Sequence, residues 1–113
     1  MASEVMVLSL LQRWYEAQCN GDWEHSYGVC IDTIDNPGWV VKVDLAETQW
    51  EDLEIERTII RNDEVSWYQY EVIEHGFIGA GGTPNLVDIL NCFLKIVGVL
   101  SGPLPNDPRA PSE

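Results

Sequence analysis

Basic residues are scarce in this sequence of 113 amino acids, which has six Lys and Arg against nineteen Asp and Glu. The formal net charge of −13 repels nucleic acid and anionic membrane surfaces, and it attracts basic proteins and speeds their association. No basic patch with interleaved aromatic residues is present, which argues against nucleic-acid binding. A high negative charge also keeps a protein soluble, so the charge alone leaves both explanations open.

The sequence also shows no pattern typical of a disulfide framework, a signal peptide or a membrane-spanning run. Its three cysteines are odd in number and form no C-x-x-C pair, which favours free thiols in a reducing cytoplasm. Glu4 stands where a signal peptide would have Lys or Arg. No apolar run approaches the ~20 residues that a helix needs to span a bilayer. These features predict a cytoplasmic protein that does not enter a membrane.

Residues for catalysis or metal binding are few. The only histidines are His25 and His75, and no standard zinc-ligand spacing surrounds either of them. The glycine-rich stretch 79–83 precedes a predicted helix but lacks the Lys of a phosphate-binding loop. We therefore predict no enzymatic activity, no metal and no cofactor. One enzymatic alternative is left open, a small enzyme that uses a cluster of Asp22, Glu24 and His25.

The hydrophobic periodicity predicts a single α+β domain over residues 1–100. Apolar residues at three- and four-residue steps, among them Val5, Leu8 and Leu11, predict a helix over 4–19. A second helix is predicted after Thr83 as N-cap and Pro84 as first helical residue, ending at Gly98. Residues 101–113 contain four prolines and no periodicity, which predicts a disordered Pro-rich tail.

Alternating apolar and polar residues between the helices predict about five strands. They fall near residues 26–32, 39–45, 53–60, 65–73 and 77–78. The glycines of 79–82 are expected to end the sheet. Because the strands follow one another with short turns, we predict an antiparallel meander, flanked by the N-terminal and the C-terminal helix.

Five tryptophans are many for so small a core, and tryptophan is enriched at binding hot spots. Trp14 and Trp39 fall on periodic apolar faces and are predicted to be core residues. Trp50 instead lies among the acidic residues of 44–56, as expected of a surface for a Lys- and Arg-rich partner. A solvated edge that discourages strand pairing is the alternative. The partner-binding residues predicted here are Glu47, Trp50, Glu51, Asp52 and Glu54.

Three stretches resemble the immunity protein 53 family. The first runs from Trp14-Tyr15 through residues 18–28 and contains Gly21-Asp22-Trp23-Glu24-His25. The second is Asp35-Asn36-Pro37-Gly38-Trp39 with the strand to Leu45. The third consists of Phe77, Gly81-Gly82, Asn85-Leu86 and Ile89-Leu90. The resemblance covers about residues 5–97.

The resemblance implies a cytosolic antidote of a bacterial polymorphic toxin system, which binds a cognate toxin domain and blocks it. Our leading hypothesis is that this blocking occurs by occlusion. The charge favours a basic toxin domain, such as a nuclease. Further partner-binding candidates are Asp22, Trp23, Glu24 and His25. In a structural alternative, Asp22 caps backbone amides of the turn and Trp23 packs against the sheet. The alternative function is an acidic protein-binding adaptor or regulatory module without a toxin partner. The oligomeric state is not predicted.

Overall fold

The structure, a computed structural model, describes residues 4–110, which form a five-stranded antiparallel sheet with two helices. The helices are α1 (Glu4–Gln18) and α2 (Leu86–Ile96), and a short 3₁₀ turn spans Trp23–His25. The strands are β1 (Val29–Ile34), β2 (Gly38–Asp44), β3 (Ile55–Arg61), β4 (Trp67–Ile73) and β5 (Gly76–Gly81). The predicted α+β class, the five antiparallel strands and the flanking helices are confirmed.

The predicted meander is wrong in its strand order, which is β1-β2-β5-β4-β3. Strand β5 lies between β2 and β4, with Phe77 opposite both Val43 and Val72. The link of residues 45–54 therefore carries the chain from β2 past β5 and β4 to the far edge. Consecutive strands are neighbours only as a tendency, and alternating patterns do not encode the order of strands within a sheet.

Strand β5 lies at the centre of the sheet, and its glycines let other elements approach it closely. A Cβ at Gly79 would collide with Cγ2 of Ile89 on α2 and would crowd the Phe77 ring. The expectation that the glycines end the sheet is therefore wrong, since β5 continues to Gly81. Small residues in this strand make room for the helix that covers it.

Helix α2 begins later than the sequence predicts and ends where it predicts. It starts at Leu86, so Thr83 and Pro84 lie in the preceding turn and not at its first positions. At the other end Gly98 has φ 77°, and its N–H donates to the Lys95 carbonyl at 3.1 Å. The N–H of Val99 donates to the Leu94 carbonyl at 2.9 Å, which completes a Schellman motif.

The face of α1 that is buried differs from the predicted one. Val7, Leu11 and Trp14 are buried, whereas Val5 and Leu8 are 76% and 54% exposed. Helix α1 contacts α2 more than the sheet, so its buried stripe faces a neighbour that the sequence pattern does not reveal. Trp14 is confirmed as a core residue.

The core prediction for Trp39 holds only in part, since Trp39 packs against the buried core without being fully buried itself. Trp39 is half-buried, and its Nε1 donates to the carbonyl of Thr83 at 3.0 Å at the border of the sheet. Because the Nε1–H of Trp39 has this acceptor, the indole can lie near the surface without an unpaired hydrogen-bond donor.

Residues 101–110 contain no helix or strand, but part of this segment packs on the domain. Leu104 is 7% exposed within the core, and the Tyr70 hydroxyl donates to the Pro105 carbonyl at 2.6 Å. These contacts differ from the expected disordered tail, because Leu104 gives the segment an apolar anchor. Residues 111–113 lie outside the described residues, and a domain limit at residue 100 stays a prediction.

Candidate functional site

Three loops meet at one end of the sheet. In the antiparallel order, the segment before β1, the link between β2 and β3 and the turn between β4 and β5 all lie at this end. We call the residues 20–25, 44–54 and 74–75 the acidic rim. No Lys or Arg occurs in these ranges. The rim carries eight carboxylates: Asp22, Glu24, Asp44, Glu47, Glu51, Asp52, Glu54 and Glu74.

The turn 20–25 is built by reciprocal hydrogen bonds between side chains and backbone. The Asn20 Oδ1 accepts from the N–H groups of Asp22 and Trp23, both at 2.9 Å. The Glu24 carboxylate accepts from the N–H groups of Asn20 at 3.0 Å and of Gly21 at 2.8 Å. Asp22 makes no capping hydrogen bond with its side chain, so Asn20 has the role that the structural alternative gave to Asp22.

Backbone donors also lower the pKa of Glu24. Hydrogen bonds from N–H groups, its own first and then those of Asn20 and Gly21, hold the pKa of Glu24 below its usual value. Both carboxylate oxygens are occupied by these donors, which leaves little of the group for a substrate. This arrangement disfavours the enzymatic alternative, which needs Glu24 to converge with Asp22 and His25 on a reacting group.

Trp23 joins this turn to the neighbouring link. Its side chain is 3% exposed, and the ring lies edge-on to Trp14 at 6.2 Å between centroids. Its Nε1 donates to the Ala46 carbonyl at 3.0 Å. Trp23 therefore has almost no surface to offer to a partner, and it instead positions the link between β2 and β3.

The link 45–54 is held in shape by its own polar groups. The N–H of Glu47 donates to Glu51 Oε2 at 2.7 Å, and the Thr48 hydroxyl donates to the Leu45 carbonyl at 2.7 Å. The Tyr27 hydroxyl donates to Glu47 Oε2 at 3.2 Å, which raises the pKa of Tyr27. These bonds fix the directions of two rim carboxylates, those of Glu47 and Glu51.

Trp50 lies between the rim and the core. It is half-buried, and its ring centroid is 5.8 Å from that of Trp14. The N–H of its backbone donates to the Thr48 hydroxyl at 3.1 Å. Part of the indole thus supports the core while the rest stays accessible among acidic neighbours.

His75 is a rim residue for which the sequence predicts no role in the site. Its Nδ1–H donates to the Glu51 carbonyl at 2.7 Å. This hydrogen bond, and then the carboxylates of Glu51, Asp52 and Glu54, raise the pKa of His75. The available signal was its position in the tight turn between two β-rich segments, next to another polar residue.

Unusual backbone conformations gather at the same end. Within the described range 4–110, four non-glycine residues have positive φ angles, and three of them are Glu47 (60°), Glu74 (52°) and His75 (63°) in the rim. Left-handed conformations at such residues cost free energy, and they cluster at functional sites. The two-residue turn between β4 and β5 thus lacks the glycine that most such turns contain.

The remaining predicted residues are at the surface. Asp22, His25, Asp52 and Glu54 are exposed, whereas Glu51 is half-buried. Eight of the nine predicted partner-binding residues therefore have exposed or half-buried side chains at one end, and Trp23 lies beneath them.

Two further features of the described part concern metals and membranes. Among residues 4–110, no three His, Cys, Asp or Glu side chains are arranged to hold a metal ion. Neither described helix is long and apolar enough to cross a membrane.

Comparison with known proteins gives one match. The family model described as immunity protein 53 matches residues 8–98, which is most of the chain and includes all three loops of the rim. No curated protein and no solved structure matches the chain.

Proposed function

We propose that this chain, which belongs to the immunity protein 53 family, binds a cognate bacterial toxin domain in the cytoplasm and neutralises it by occlusion. The acidic rim is the contact surface in this proposal. A basic toxin domain, such as a nuclease, would have its positively charged substrate-binding groups covered by the rim. No catalysis by the chain itself is needed for such inhibition.

The observation that carries the proposal is the charge distribution at one end of the sheet. Eight carboxylates lie in the rim, and neither Lys nor Arg interrupts them. Such a one-sided field accelerates the encounter with a basic surface and orients the partner before contact. Hydrogen bonds already hold Glu47 and Glu51, so binding would order few additional side chains there.

Trp50 is the proposed apolar anchor of this surface. It is half-buried and rests on Trp14, so its rotamer is restrained by the core. A rigid aromatic side chain that is surrounded by polar groups has the character of a binding hot spot. Asp52 and Glu54 flank it as exposed charges, which would act mainly on the association rate.

The first experiment tests neutralisation in cells. A toxin gene that lies beside the gene for this chain would be expressed with and without it, and growth would be measured. We expect full rescue by the natural chain. Absence of both rescue and binding would contradict the function as an immunity protein. Capture of a housekeeping protein, with no toxin gene nearby, would favour the acidic adaptor instead.

The second experiment tests the rim by surface-plasmon kinetics against the same toxin. A triple variant neutralises Asp22→Asn, Asp52→Asn and Glu54→Gln, none of which removes a described side-chain hydrogen bond. We expect association to slow roughly tenfold at low salt, with little change in dissociation. Trp50→Ala should instead speed dissociation by roughly tenfold or more.

A matched control removes the same total charge elsewhere. Glu16→Gln, Asp35→Asn and Glu64→Gln change three exposed carboxylates outside the rim. Steering by the rim predicts a much smaller effect for this control than for the rim triple. Equal slowing by both variants would mean that only net charge matters, and unchanged dissociation in Trp50→Ala would move the contact away from the rim.

A further inference from the structure

Strand β1 is an edge strand whose outer side is open. It stands at one end of the strand order, and among residues 4–110 it pairs with β2 only. Its four middle residues, 30–33, are exposed. An exposed edge presents unpaired backbone N–H and C=O groups, on which another strand can add.

The other edge of the sheet is protected, whereas β1 is not. Strand β3 has an irregularity in its register between Ile55 and Thr58 and contains three charged residues. Strand β1 has a continuous register and a single charge, Asp32. Bulges and charges are the usual protection of an edge, and β-branched residues such as Ile31 favour pairing.

The hydrogen bonds at the rim show which groups of β1 point outward. The Asp44 N–H donates to the Gly28 carbonyl at 3.1 Å, so Asp44 bonds toward the β1 side. The next residue bonds the other way, because the Leu45 N–H donates to the His75 carbonyl at 2.8 Å, on the β5 side. Because bonding alternates along antiparallel strands, even-numbered residues of β1 bond to β2. The residues whose backbone groups point away from the sheet are Val29, Ile31 and Thr33.

We propose that β1 pairs antiparallel with β1 of a second copy of this chain, about a two-fold axis at Ile31. The two sheets then form one continuous sheet across both copies. Such a pair closes on itself, so it produces a dimer and not a filament.

The sequence of β1 is self-complementary in this register. Ile31 faces Ile31, Val29 faces Thr33, and Cys30 faces Asp32 of the second copy. All three outward-pointing residues find partners, giving about six backbone hydrogen bonds between the copies. The only charged side chain of the strand is opposite a thiol, so no like charges face each other directly. In the single chain the Thr33 N–H bonds to Asp32 Oδ1 at 2.8 Å, a local bond that pairing exchanges for a strand bond.

The helix side of the edge has room for the added strand. A cavity of about 360 Å³ opens between α1 and the start of β1. It lies beside Val29, where the side chain of Thr33 from the second copy would stand. Its lining residues are Leu11, Gln12, Tyr15, Gly28 and Val29.

The β1 contact and the proposed toxin contact are expected to differ in their dependence on salt. Each copy carries a net charge of −13, so two copies repel one another at low ionic strength. Added salt should therefore strengthen dimerisation. Binding of a basic toxin to the rim should weaken under the same change, so the two interactions are distinguishable in one titration.

The first test is a cysteine cross-link with Asp32→Cys. The new thiol would face the natural Cys30 of the second copy in a non-hydrogen-bonded pair, where Cα atoms are about 4.5 Å apart. We expect a covalent dimer after mild oxidation, seen on a non-reducing gel. Controls are the double variant Cys30→Ser with Asp32→Cys, and Thr33→Cys, which is not opposite Cys30. A dimer formed equally by Thr33→Cys would refute the register.

The second test is sedimentation of the natural chain over a range of concentrations and salt, compared with Ile31→Pro. Proline there removes only an outward-pointing N–H, so the fold should persist. We expect the dimer dissociation constant to rise by roughly tenfold or more. Ile31→Lys, at a 40% exposed position, should do the same, and Ile31→Val should leave the dimer unchanged.

Two outcomes would overturn the proposal. One is a natural chain that stays monomeric at high concentration and high salt while Asp32→Cys forms no cross-link. The other is a monomeric natural chain whose toxin binding is abolished by Ile31→Pro, which would assign this edge to the toxin. Unchanged toxin binding by a dimer-deficient Ile31→Pro would support both proposals together.

Discussion

Trp14 and Trp23 offer a matched test of what a buried indole N–H contributes to stability. The two side chains are 4% and 3% exposed, and their rings contact each other. The Trp23 Nε1 donates to the Ala46 carbonyl at 3.0 Å. Among the described residues that are not exposed, the Trp14 Nε1 is the one buried side-chain nitrogen or oxygen without a hydrogen-bond partner.

Replacing each by phenylalanine removes a similar amount of buried ring but has different polar consequences. Both changes lose apolar contact and leave some cavity, about 1–2 kcal/mol each. Trp23→Phe also leaves the Ala46 carbonyl without its donor, which costs about 1–3 kcal/mol more. Trp14→Phe removes an unpaired buried donor, and this offsets part of the stability that is lost with the apolar contacts. We therefore expect Trp23→Phe to be the more destabilising by about 2 kcal/mol.

The assay is urea denaturation monitored by far-UV circular dichroism. Tryptophan fluorescence is unsuitable as the signal, because the variants differ in their tryptophans. For a domain of this size the difference corresponds to about 8 °C in Tm. Trp39→Phe is the control, since its Nε1 bond to Thr83 lies at the surface, where water replaces the lost donor. Equal costs for Trp14→Phe and Trp23→Phe, within about 0.5 kcal/mol, would refute the reasoning.

Three further predictions concern packing, thiol reactivity and pH. Gly79→Ala should lower the free energy of unfolding by about 1–3 kcal/mol, because its Cβ would meet Ile89, whereas Gly28→Ala, with open space around it, should cost little; equal costs would contradict the close approach of α2. A thiol reagent should modify exposed Cys30 rapidly and leave Cys92 unmodified until unfolding, since burial raises the pKa of the Cys92 thiol to about 12; rapid loss of both thiols in the folded protein would be the contrary result. The raised pKa of His75 means that protonation stabilises the fold fully below the unfolded pKa, and that this stability is lost as pH rises through the folded pKa. His75→Gln should therefore be more destabilising at pH ~5.5 than at pH ~8.5 in urea denaturation, and a pH-independent cost would argue against the effect.

The sequence predicts most elements because their patterns are local. Helix α2 has a strong apolar period, and Gly98 ends it through its own backbone conformation. The order of the strands is not local, since it depends on contacts between distant parts of the chain, such as those of α2 with β5 and β4. Gly79 indicates the contact between β5 and α2 only once Ile89 is known to lie above it. For the same reason the glycines of β5 look like a turn in the sequence and form a strand in the fold.

The candidate site was predictable in composition but not in assembly. The acidic residues around Trp50 are evident in the sequence, and so is the Gly21–His25 motif. That the two segments touch depends on a hydrogen bond between Trp23 and Ala46, which are 23 positions apart. His75 joins them from a third segment through the Glu51 carbonyl. Tertiary hydrogen bonds of this kind produce no periodic pattern in a sequence, so the sequence does not predict them.

The motif Gly21-Asp22-Trp23-Glu24-His25 divides into supporting and surface residues. Glu24 binds backbone N–H groups and Trp23 is buried under the link 45–54, so both shape the rim from within the fold. Asp22 and His25 are exposed on the same turn. It follows that changes at Trp23 would disturb Glu47 and its neighbours indirectly, through loss of the Ala46 contact. Selectivity for one partner over another would then depend on the exposed pair and on the rim charges beside it.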